Sequence, residues 1–242
     1  MDEHLIAKAK KFKELEYIFC DYYDTIIHRK VHPLKPFKIW AKSIKSDFKV
    51  NKTVNEIYKL RRSVMHTLST SLKVAESEIG YEVVMREIYN ALNLDKVTSL
   101  DNFVKSSYEA DYEAEASVQY LNGKMIASLR QLKKEGYKIY CVSDFHSDET
   151  MLLRLMKFHG IEDIYDKIFV SASQNASKEN EGLIFSKVMQ KEQIDPQTVL
   201  MIGDNPVSDV ANAKLHGIES YFLARTFFKI RQKFQFLILK VT

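Results

Sequence analysis

A chain of 242 residues accommodates one large domain, or a core of about 150 residues carrying a smaller insertion. With 45% hydrophobic and 28% charged residues and no low-complexity or heptad tract, the sequence is that of a globular protein, neither disordered nor fibrous. Its 36 basic and 32 acidic residues are evenly mixed, so the net charge of +4 gives no ground for a nucleic-acid surface; the densest basic run, "KAKKFK" at 8–13, reads as a solvated helix face.

The N-terminal "MDEHLIAKAKKFKELE" lacks the apolar segment of a signal peptide, and no apolar run nears the roughly 20 residues of a membrane span. The expectation is a cytoplasmic protein that crosses no membrane. "YIFCD" at 17–21 is the first strand-like run. Cys20 lies in it and Cys141 in a later one, which suits reduced core thiols better than a disulfide framework. From 33 to 120 the pattern is helical throughout, in "PFKIWAKSIKSDF", "TVNEIYKLRRSVMHTLSTSL", "SEIGYEVVMREIYNALN" and "SLDNFVKSSYEADYEAEAS". One crossover helix needs only about 10 to 15 residues, so this interval predicts an inserted helical domain, with 1–32 and 121–242 forming the core.

Beyond residue 120 strand-like and helix-like runs alternate. "YKIYCVS" (137–143), "KIFVSA" (167–172), "TVLMIG" (198–203) and "ESYFL" (219–223) are short, apolar and rich in β-branched and aromatic residues, as buried parallel strands require. "GKMIASLRQLKKEG" and "DETMLLRLMKFHG" carry a helical apolar stripe and stop at Gly136 and Gly160, and "PVSDVANAKLHG" opens on Pro206 and closes on Gly217. Hydrophobic pattern and stop signals agree, and the fold class they predict is α/β, a doubly wound parallel sheet.

In an open parallel sheet ligands bind beyond the carboxyl ends of the strands. Four of those ends are polar: Asp21 and Thr25 in "DYYDT", Ser143 and Asp144 after "YKIYCV", Lys178 in "SQNASKENEG" after "KIFVSA", and Asp204 and Asp209 in "GDNPVSD". Taken singly each has an ordinary explanation. Asp204-Asn205-Pro206 is a common strand-to-helix turn, Ser143 and Asp144 suit a helix start, and a lysine in a polar stretch is usually solvated.

Taken together and in this order, "DYYDT", "SD", the lysine and "GDNPVSD" resemble the four motifs of the haloacid dehalogenase superfamily, over residues 17 to 225, with the helical interval where that superfamily carries its cap. Within it the sequence looks like the predicted hydrolases found with bacterial polysaccharide and glycan biosynthesis enzymes, which share the "DxxDT", "SD" and "GDNxxSD" patterns. The resemblance implies a Rossmann-like core and a Mg²⁺-dependent hydrolase acting on a small phosphorylated metabolite, a sugar phosphate among them. Asp21 would be the nucleophile that forms an aspartyl phosphate. Asp21, Asp204 and the Tyr23 carbonyl would hold Mg²⁺, an ion that prefers oxygen ligands, and Asp209 would either ligate it directly or fix its waters. Ser143 and Lys178 would bind the phosphoryl group, with Thr25 and Asp144 beside them.

The first motif departs from the phosphatase pattern, in which an aspartate two positions after the nucleophile protonates the leaving alkoxide. Tyr23 stands there, and a phenol with an ordinary pKa near 10 is a poor base at neutral pH. Three readings follow: a phosphohydrolase using another acid, with Asp24, His28 and His146 the nearby candidates; a dehalogenase, since those enzymes carry tyrosine here; or a weakened phosphosugar-binding module. The acidic "GDNPVSD" loop favours the first. The helical interval is expected to close over the strand ends as a lid; Trp40, Arg61, Arg62 and Tyr81 are candidate contacts, though aromatic residues at helical spacing more often form such a unit's own core. The apolar tail "FFKIRQKFQFLILKVT" suits packing on the core as a final strand or helix, next a contact with a subunit or partner domain, and least a membrane surface; the partners expected for the whole chain are a second copy of itself or a glycan-biosynthesis protein.

Overall fold

The computed structural model describes residues 1–224, so the apolar tail lies outside the described residues. Asp2 opens α1 (Glu3–Lys11) by accepting the Leu5 N–H, and the chain then enters β1 (Tyr17–Cys20). Beyond a tight loop comes β2 (Ile27–Arg29), followed by α2 (Lys35–Asp47), α3 (Val54–Leu72), α4 (Tyr81–Ala91) and α5 (Leu100–Val118). The chain returns through β3 (Gln119–Leu121), which pairs antiparallel with β2, so the helical unit is entered and left through adjacent strands.

The remaining elements alternate: α6 (Gly123–Lys134), β4 (Lys138–Ser143), α7 (Glu149–Phe158), β5 (Lys167–Val170), α8 (Ser171–Gln174), α9 (Leu183–Glu192), β6 (Val199–Gly203), a π-helical turn Pro206–Ala211, α10 (Asn212–Leu215) and β7 (Glu219–Phe222). The expected strand "KIFVSA" stops two residues early, because Ser171 turns the chain into α8.

The main sheet is a parallel five-stranded one in the order β5-β4-β1-β6-β7. Side chains alternate between its faces. Ile18 and Cys20 pack with Leu5 of α1, Leu129 of α6 and Leu152 of α7, whereas Phe19 packs with Phe185 and Val188 of α9. Both faces are therefore dry, which is why these strands read as unbroken apolar runs. Cys20 and Cys141, register partners on β1 and β4, are free and buried.

From β1 the chain winds outward through β4 to β5, then crosses back to β6 on the other side of β1. The winding direction reverses at β1, and the crevice at such a switch point is where a doubly wound sheet binds ligands.

The helices α2–α5 enclose their own core around Trp40, Ile44, Ile57, Met85, Ile88 and Phe103. Arg61 lies inside it, 1% exposed, ion-paired to Asp111 at 2.7 Å and stacked on Phe37 and Trp40, while Tyr81 donates to the other Asp111 oxygen at 2.8 Å. Trp40, Arg61 and Tyr81 thus belong to the interior of the helical unit rather than to a ligand-facing surface. Arg62 pairs with Glu76 at 2.6 Å.

Candidate active site

Asp21 extends the β1–β6 ladder by one residue, donating its N–H to the Ile202 carbonyl at 2.9 Å. Asp204 follows the last residue of β6, so the two carboxylates issue from neighbouring strand ends. Asp209 arrives from the π-helical turn. Asn205 caps that turn by accepting the Val207 and Ser208 N–H groups, and its own N–H donates to Asp209 Oδ2 at 2.9 Å. The close approach needs Gly203: a Cβ there would lie 2.2 Å from Asp209 Oδ2. Carboxylate oxygens of Asp21, Asp204 and Asp209 come within 4.8 Å of one another.

Lys178 meets this cluster from the α8–α9 loop. Its Nζ lies 2.7 Å from Asp21 Oδ1 and 2.6 Å from Asp209 Oδ1. Asp144, after β4, holds the lysine's backbone in place by accepting the N–H groups of Lys178 and Glu179 at 2.8 and 3.0 Å, and Asn212 donates to the Lys178 carbonyl at 2.7 Å. Burial opposes the lysine's charge, but Asp209, Asp21 and Asp144 outweigh it and hold the ammonium well above the usual lysine range. Burial pushes Asp21 up to about 7 despite Lys178, with Asp209 and Asp204 adding like charge. Three carboxylates facing one ammonium leave an excess of negative charge, and an oxygen-only donor set suits a hard divalent cation. The residues therefore fit the Mg²⁺ expected from the sequence.

The cleft above them has a volume of about 650 Å³ and is walled by Asp21, Tyr23, Asp24, Asp144, Lys178, Glu179 and the 204–209 turn. Thr25 and Ser143 stand behind these walls, fully buried, with hydroxyls that have no partner among the described residues. Tyr23 has its ring under the Arg29 guanidinium, 3.7 Å from the centroid, and against Phe145; burial, with Glu115 nearby, pushes its phenol well above 10, so it remains protonated. Of the three acid/base candidates, Asp24 alone lines the cleft; its left-handed backbone (φ 58°) folds the loop so that its N–H reaches the Ile27 carbonyl. His146 instead packs between Phe37 and Phe145. Burial, Arg61 and Arg29 hold it well below 6.5, so the neutral imidazole is a poor proton donor. His28 faces Tyr120 across the β2–β3 pair.

A family model described as haloacid dehalogenase-like hydrolase matches residues 15–217, from before β1 to just past α10. The chain belongs to the haloacid dehalogenase-like hydrolases. Its fold is similar to that of a 2-haloacid dehalogenase from Pseudomonas syringae, with a TM-score of 0.65 at 12% identity, covering 94% of this chain and 100% of that one. It is also similar to a HAD phosphatase from Thermococcus onnurineus (TM-score 0.57, 16% identity, 88% of each chain). A third likeness is to a HAD-hydrolase from Bacillus subtilis bound to magnesium (0.55, 16%, 86% of each chain). No curated protein matches the sequence. No helix among the described residues is long and apolar enough to cross a membrane.

Two features of this haloacid dehalogenase-like hydrolase escaped the sequence motifs. Glu179 lines the cleft beside Lys178, and Arg29, bidentate to Glu115 at 3.2 Å, covers the Tyr23 ring. The first was legible as the neighbour of the motif lysine. The second depends on β2, which is too short to show a period.

Proposed function

We propose that this hydrolase is a Mg²⁺-dependent phosphohydrolase of a small phosphorylated metabolite, a sugar phosphate being the favoured class, working in the cytoplasm. The observation that carries the reading is Lys178 bridging Asp21 and Asp209 beside Asp204. Asp21 attacks phosphorus: one carboxylate oxygen forms the new bond, the ester oxygen departs with a proton, and water then releases phosphate and regenerates the carboxylate. Lys178 neutralises charge on nucleophile and phosphoryl oxygens, and the buried Ser143 and Thr25 hydroxyls, which have no partner among the described residues, serve those oxygens as donors. Asp21, Asp204, Asp209 and the Tyr23 carbonyl would hold Mg²⁺, which when bound draws charge from the phosphoryl oxygens. Asp24 is the acid on the cleft wall that serves the leaving group, and Tyr23, held neutral, does not titrate. Residues 33–120 act as the cap, shielding the cleft and contacting the part of the substrate that does not react.

Tyr23 at the acid/base position favours a second reading, halide displacement from a 2-haloacid, where the leaving group needs no proton. The experiment measures phosphate release from a panel of sugar and nucleotide phosphates, with Mg²⁺ or with EDTA, and halide release from 2-haloacids. Mg²⁺-dependent phosphate release supports the first reading and metal-independent halide release selects the second. If neither reaction occurs while a phosphosugar raises Tm only with Mg²⁺, the protein is a binding module.

A further inference from the structure

Between α3 and α4 the helical unit carries a short 3-10 turn, Glu76–Glu78, which packs on α8 of the core. Two hydrogen bonds cross there. Ser177 Oγ donates to Glu78 Oε1 at 2.6 Å, and Ser171 Oγ donates to the Ser77 carbonyl, also at 2.6 Å. Both serines are fully buried, and Glu78 is 5% exposed. Each serine abuts the catalytic framework. Ser177 precedes Lys178 and its hydroxyl also accepts the Asn180 N–H at 3.0 Å, closing the loop; Ser171 accepts the N–H of Phe145, the residue after Asp144, at 3.0 Å.

We propose that Glu78 is a positioning residue for Lys178. The lysine's backbone is gripped from the core side by Asp144 and from the helical unit by Glu78 through Ser177. The same turn steadies the Asp144 side through Ser77 and Ser171. A carboxylate accepting a buried hydroxyl makes a short, strong hydrogen bond, so seating the helical unit fixes where the Lys178 ammonium sits relative to Asp21 and Asp209. Glu78 touches none of the reacting atoms. As a role in catalysis this rests on the phosphohydrolase reading above.

The test compares wild type with Glu78→Ala, Glu78→Gln, Ser177→Ala and the double variant Glu78→Ala/Ser177→Ala. Steady-state kinetics use p-nitrophenyl phosphate with Mg²⁺, and hydrogen exchange follows the amides of residues 178–180. Glu78→Ala and Ser177→Ala are each expected to lower kcat about tenfold with KM within about twofold, and to speed exchange at 178 and 179. Glu78→Gln keeps an oxygen to accept the Ser177 hydroxyl and stays within about threefold of wild type, while the double variant is no worse than Ser177→Ala. If Glu78→Ala does not fold, Ser177→Ala and Glu78→Gln carry the comparison. Unchanged kcat and unchanged exchange at 178 and 179 in Ser177→Ala, a lower Tm alone, or losses that add in the double variant would overturn the proposal. A wild-type enzyme that releases no phosphate from p-nitrophenyl phosphate or from the panel above defeats the phosphohydrolase reading instead; the exchange of the Lys178 and Glu179 amides, which donate to Asp144, in Glu78→Ala and Ser177→Ala then decides for or against the tether by itself.

Discussion

At Gly203 the absence of a side chain lets the Asp209 carboxylate occupy the volume a Cβ would fill. Gly203→Ala should therefore displace Asp209 and lower phosphate release roughly a hundredfold, the scale on which a 1 Å misplacement acts; steady-state kinetics on the best substrate of the panel would check it. His146 gives a pH prediction. Its folded pKa is depressed, so the unfolded chain binds more protons; the stability it contributes is present above about 6.5 and is lost as pH falls below that. Urea midpoints measured from pH 7.5 to 5.5 should fall more steeply for wild type than for His146→Phe, and parallel curves would contradict the assignment. The residues that touch the cluster were legible in the sequence because they follow strand ends at motif spacing. His28 and His146 were not separable from Asp24 that way, because what divides them is which wall each faces: aromatic rings for the two histidines, the cleft for Asp24.

Among elements, the helical unit stands on the buried Arg61–Asp111 pair. Removing one partner strands the other charge, so Asp111→Ala should cost about 3–5 kcal/mol in urea unfolding, whereas replacing both with apolar residues of similar volume should cost much less. Equal losses in the two variants would contradict that view of the pair. Long helices such as α3 and α5 were legible from period alone, and Thr53 with Glu56 forms a full capping box at the start of α3. The three-residue strands β2 and β3 were not, since so short a run shows no alternation and their pairing is set by the helices between them. The early end of β5 was equally hidden. Ser171 reads as one more strand residue, but its hydroxyl is engaged by Phe145 and Ser77, groups 26 and 94 positions away.

For the whole molecule, the parallel sheet followed from apolar runs alternating with helices, but the strand order did not. That order decides the site, because β1 and β6 must be neighbours for Asp21 and Asp204 to face each other. The carboxylate cluster sets one ammonium among three acids, a donor set that suits a divalent cation. Mg²⁺ at 100 times its Kd should stabilise wild type by about 2.7 kcal/mol, and Asp204→Asn should abolish most of that gain in a thermal-shift titration. An equal gain in both proteins would place the cation elsewhere. The central claim is that Asp21 is the nucleophile. Its most direct test is kcat for Mg²⁺-dependent phosphate release by wild type and by Asp21→Asn on the same substrate. A loss of about a thousandfold or more is expected in the variant. Release by Asp21→Asn within roughly tenfold of wild type would contradict it.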